Sequence, residues 1–97
     1  MNNKKISSNH LTGLILDVMI DSNILAKEYL ENATQIVMHE INNLKKNQSY
    51  HTMSSGELSE KIVDSLISHN LISNENRELA ISISVEEIDV RKIAGDY

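Results

Sequence analysis

The chain has no cysteine, proline, tryptophan or phenylalanine, and only three glycines among its 97 residues. Without cysteine there is no disulfide framework, no thiolate nucleophile and no cysteine-ligated zinc, which fits a reducing compartment. Without proline, and with glycine confined to Gly13, Gly56 and Gly95, nothing enforces the frequent reversals of an all-β fold, so long helices are permitted. Tyr29, Tyr50 and Tyr97 are the only aromatic residues, so the stacking platforms of single-stranded nucleic-acid modules are missing. No apolar run is longer than the triplet Leu14-Ile15-Leu16, far short of the roughly 20 residues that cross a bilayer. The opening residues hold Lys4 and Lys5, but the apolar segment behind them is cut by Asp17 and Asp21. No targeting signal is read, no membrane association is expected, and the cytoplasm is the expected location.

What remains is a core supply of Ile, Leu and Val at helical spacing. Residues 1–9 are polar and aperiodic and are expected to be a flexible tail, with 10–97 forming a single helical domain. Leu11, Leu14, Ile15, Val18 and Met19 recur at steps of three and four and predict a helix over about 10–21, capped by Ser8 or Asn9. Asp21-Ser22-Asn23 offers three N-cap residues, after which Ala26, Leu30, Ala33, Val37, Ile41 and Leu44 continue the row towards Lys45-Lys46 and a left-handed cap at Asn47. One helix over 10–46 and two helices with a kink at 21–23 are both compatible with this pattern. Residues 47–56 form the main loop, and Ser54 with Glu57 makes a capping box for a helix over about 55–69. Ser73 or Asn74 can cap a further helix that opens with Glu75 and Glu78.

The segment Ile81-Ser82-Ile83-Ser84-Val85 alternates with period two, a strand signature. Ser84 with Glu87 forms a second capping box and Gly95 supplies a stop, so helix is preferred there. The fold expected is therefore all-α, a small bundle of four or five helices, with no internal repeat at a solenoid period.

Charge is unevenly distributed. Residues 1–50 carry five basic and five acidic side chains, whereas 51–97 carry four basic and nine acidic, so the whole net charge of −5 falls in the second half. Glu57, Glu60, Asp64, Glu75, Glu78, Glu86, Glu87 and Asp89 are the candidate partner-binding surface. A solvated surface that maintains solubility and a face complementary to a basic protein both account for them. His10, His39, His51 and His69 show no metal-ligand spacing, and there is no phosphate loop, nucleophile elbow or catalytic triad pattern. No catalytic residue, cofactor or metal is expected. Ile24, Tyr29 and Ile36 widen the apolar stripe of the second helical segment, residues 32–38 carry no charge, and a chain this short gains from association. These three features predict a homodimer with Ile24, Tyr29 and Ile36 at its interface.

Leu58-Ser59-Glu60-Lys61, with Leu66 and Leu71 following, resembles the central helix of the small acidic helical regulators of enterobacterial biofilm development. In size and charge the chain is also similar to phage and plasmid inhibitors. The expected function is a non-enzymatic protein-binding adaptor or regulator. The alternatives are an inhibitor whose acidic face mimics nucleic acid and blocks a basic groove, and a helix-turn-helix DNA binder built from 57–69 and 75–83. The acidic second half makes nucleic acid an unfavourable partner for the last of these.

Overall fold

A computed structural model describes residues 8–47 and 52–94. Four helices account for them: α1 over Ser8–Asp21, α2 over Leu30–Lys46, α3 over Ser55–Ser68 and α4 over Arg77–Ala94. No strand occurs among the described residues, and none of their helices is long and apolar enough to cross a membrane. α1 packs on α2, α2 on α3, α3 on α4, and α4 returns to α1, which closes an all-α bundle.

The core follows the three-four spacing. Leu11, Ile15, Leu16 and Met19 from α1 meet Ala33, Val37, Ile41 and Leu44 from α2, Leu58, Ile62, Val63 and Leu66 from α3, and Ala80 and Ile88 from α4. These are mainly aliphatic side chains, whose burial is the principal favourable term in such a bundle. Two members of the expected α2 row sit further out: Leu30 is half-buried and Ala26 is exposed, because the helix proper starts only at Leu30.

Residues 10–46 form two helices. Asp21-Ser22-Asn23 does not cap the start of a second helix but ends the first one. Asn23 is left-handed at φ 62°, its N–H donates to the Ile20 carbonyl, and the Ile24 N–H donates to the Met19 carbonyl. This is a Schellman ending, which satisfies carbonyls that the helix leaves open. Asn70, at φ 63°, does the same after α3, with Asn70 N–H to Ile67 O and Leu71 N–H to Leu66 O. A three-residue 3-10 turn then leads into each following helix, Lys27–Tyr29 before α2 and Asn74–Asn76 before α4.

These parallels recur through the described residues as two copies of one hairpin, not as a solenoid array. Ser8–Asp21 corresponds to Ser55–Ser68, Lys27–Tyr29 to Asn74–Asn76, and Leu30 to Arg77, all at the offset that separates Asn23 from Asn70. The bundle is one helical hairpin used twice. Leu11 matches Leu58, Ile15 matches Ile62, Ala33 matches Ala80 and Ile41 matches Ile88, and all eight are buried. The identities include exposed positions as well, Asp17 with Asp64, Asn23 with Asn70, Glu28 with Glu75 and Glu31 with Glu78.

Other boundaries shift. α1 begins at Ser8, inside the segment expected to be a tail, and residues 1–7, 48–51 and 95–97, with the expected stop at Gly95, lie outside the described part. The Ser54–Glu57 capping box forms, with the Glu57 N–H on Ser54 Oγ at 3.1 Å and the Ser54 N–H on Glu57 Oε1 at 3.0 Å. Ser73 Oγ accepts from the Glu75 N–H at 3.1 Å. Asn47 ends α2 at φ −87°, so it is not left-handed. The second capping box does not form: Ser84 lies inside α4, fully buried, and its hydroxyl donates to the Ala80 carbonyl at 2.8 Å. That internal bond lets a polar residue occupy the helix's core-facing row.

Candidate functional site

The eight acidic residues lie on α3, on α4 and in the turn between them, and the structure separates those used to hold the hairpin from those that point outward. Glu57 closes its own helix start. Asp89 accepts a hydrogen bond from the Ser55 hydroxyl, which ties the far end of α4 to the first turn of α3. Asp64 receives both arms of Arg77, Nε at 2.7 Å and a terminal nitrogen at 3.2 Å, and so joins α3 to the start of α4. The hydrogen bond and charge of that guanidinium hold the Asp64 carboxyl below the usual carboxylate range, against a smaller opposing effect of burial. Glu87 is half-buried on α4.

Glu60, Glu75, Glu78 and Glu86 are exposed. Glu60 and Glu78 flank Arg77, and with Ile81 and Ser82 these three residues line an open hollow of about 260 Å³ between α3 and α4. The positive charge of Arg77 is already engaged by Asp64, so the surroundings of the hollow remain net negative.

The duplicated hairpin shows which of these charges the scaffold itself requires. Glu75 and Glu78 recur in the first hairpin as Glu28 and Glu31, near the start of α2 where the helix dipole favours an acid. Glu60 and Glu86, by contrast, stand where the first hairpin has Gly13 and His39, and both versions fold to the same helix. Two further differences between the hairpins are apolar. Leu79 is 54 % exposed and Val90 is 48 % exposed, at positions occupied in α2 by Asn32 and Asn43. An apolar residue on a periodic helix reads as core; the folded structure is what shows these two as outward.

The three expected interface residues differ in exposure. Ile24 is 7 % exposed and belongs to the core of this one chain, so it is not available to a second subunit. The turn after α1 folds it inward as the residue following the left-handed Asn23. Tyr29 is 39 % exposed, and Ile36 is half-buried on the outer side of α2.

Ile36 also lines a groove of about 420 Å³ along the α2–α3 seam with Gln35, His39, Glu40, Ser65 and His69. There the Ser65 hydroxyl donates to Glu40 at 3.1 Å. His69 Nδ1 lies 2.8 Å from the Ser65 carbonyl, which can only accept, so Nδ1 carries the proton. Sequence spacing did not bring His39 and His69 together; the antiparallel seam does. Among the described residues no group of three or more His, Cys, Asp or Glu side chains is placed to hold a metal ion.

No family model, curated protein or solved structure matches the chain.

Proposed function

We propose that this chain is a non-enzymatic, protein-binding regulator whose second hairpin meets a basic partner surface. The observation that carries the reading is the comparison of its two hairpins: one scaffold folds with Gly13 and His39 in the first copy and with Glu60 and Glu86 in the second. Charges that folding does not require, gathered on one hairpin, are suited to steering and orienting an oppositely charged protein. The direct test is capture of binding proteins by the immobilised chain at low and high salt, alongside a Glu60→Gln/Glu86→Gln variant. A basic protein retained at low salt, released at high salt and lost with the variant supports the reading. Retention indifferent to both salt and variant contradicts it.

The lack of cysteine supports a reducing, cytoplasmic setting. Self-association through α2 rests on Tyr29 and Ile36 alone, because Ile24 is consumed inside. Sedimentation equilibrium of the parent against Tyr29→Lys/Ile36→Lys tests it: dimer mass falling to monomer supports the contact, and monomer mass throughout removes it.

A further inference from the structure

We infer that the outward face of α4 is a docking site for an amphipathic, lysine- or arginine-rich helix of another protein. The inference rests on the reading of the second hairpin as an interaction surface, and it adds where the contact lies and what chemistry occupies it. Leu79, Ile83, Glu86 and Val90 fall at steps of four, three and four, which brings them onto one side of the helix. Leu79 and Val90 are about half exposed, Ile83 is half-buried at the edge of the core, and Glu86 is exposed between them.

The first hairpin builds the matching stripe from Asn32, Ile36, His39 and Asn43. Only the isoleucine is shared, and it is the one member of each stripe that packs against the core. The scaffold therefore needs the isoleucine, while the exposed apolar pair and the acid between them are particular to α4. Exposed leucine and valine in line on a helix favour an apolar contact.

Charge chooses the occupant. From Glu75 to Lys92 the chain has five acids against three bases, Arg77, Arg91 and Lys92, and Arg77 is paired with Asp64. α1, packed beside α4, adds exposed Asp17 and Asp21 and has no lysine or arginine. A second copy presenting this same stripe would set one net-negative surface against another, whereas a helix with apolar residues flanked by lysine or arginine satisfies both components.

The test titrates the isotope-labelled full chain by NMR with a synthetic helical peptide carrying leucine at i, i+4, i+7 and i+11 between flanking lysines. A peptide with glutamates replacing the lysines serves as control. The expected result is perturbation centred on Leu79, Ile83, Glu86 and Val90, absent with the acidic peptide and weakened several-fold between about 0.05 M and about 0.5 M salt. Leu79→Asn/Val90→Asn, which installs the residues of α2, should keep the fold and weaken binding about tenfold or more. Perturbation centred instead on Glu57, Glu60 and Asp64 would overturn this inference while leaving the acidic-surface reading in place. No perturbation anywhere would overturn both. A parent of dimer mass that the double variant turns into a monomer would assign the face to a second copy and also overturn the inference.

Discussion

Thr12 Oγ1 and Ser59 Oγ are buried with no hydrogen-bond partner, and they occupy the same position of the two hairpins. A buried hydroxyl that makes no bond keeps its desolvation cost without return, about 1–3 kcal/mol. Thr12→Val, which exchanges that hydroxyl for a methyl of similar size, is expected to stabilise the fold by about 1 kcal/mol in urea unfolding. A loss of stability would mean that the hydroxyl is engaged in solution. Gly13 offers a second residue-scale test, since a Cβ built there meets nothing within 4 Å and the second hairpin places Glu60 at the same site. Gly13→Ala should add about 0.5–1 kcal/mol by lowering the entropy of the unfolded chain and favouring helix, and a lower melting temperature would refute this. The Arg77–Asp64 pair has a pH signature. Because the Asp64 pKa is depressed on folding, the pair stabilises above the ordinary carboxylate value near pH 4 and ceases to do so as acid protonates Asp64. Both side chains are more than a third exposed, so the effect is small, and Arg77→Ala should flatten the loss of stability that begins as pH falls below about 5, without changing the acid limit.

At the scale of the element, the two left-handed asparagines decide where α1 and α3 end. An L-residue without asparagine's local bonding loses about 1–2 kcal/mol in that conformation, so Asn23→Val and Asn70→Val should each destabilise by about that amount. Asn23→Gly should be near neutral, and equal stability of the valine and glycine variants would exclude the left-handed turn. These endings also explain what the sequence concealed. Asparagine serves helix starts and helix ends alike, so Asp21-Ser22-Asn23 could be taken for a cap in the wrong direction. Leu11 to Met19 and Ala33 to Leu44 were legible because burial enforces the three-four spacing on them. The 81–85 segment imitated a strand because the core row of α4 passes through Ala80, Ser84 and Ile88, and its central member is a serine whose polarity is met by the Ala80 carbonyl.

Across the whole molecule, the excess of acid in the second half was plain from the sequence, but the division of labour within it was not. The Arg77 partner of Asp64 and the Ser55 partner of Asp89 lie 13 and 34 residues away and meet only once α3 and α4 fold together. Leu79 and Val90 escaped notice for the opposite reason, since an apolar residue in a helical pattern is indistinguishable from core until its neighbours are placed. Duplication of the hairpin supplies the control that a single helix lacks: two copies of one fold, with five acids against three bases over 8–47 and eight against four over 55–94, separate what folding demands from what the surface is free to carry. The most direct measurement of that separation is the thermal melt of Glu60→Gln/Glu86→Gln alongside its binding to the lysine-flanked helical peptide. A melting temperature within a few degrees of the parent, with binding weakened about tenfold, is the predicted result. Unchanged binding, or a melt that collapses together with it, would contradict the assignment of these acids to partner recognition.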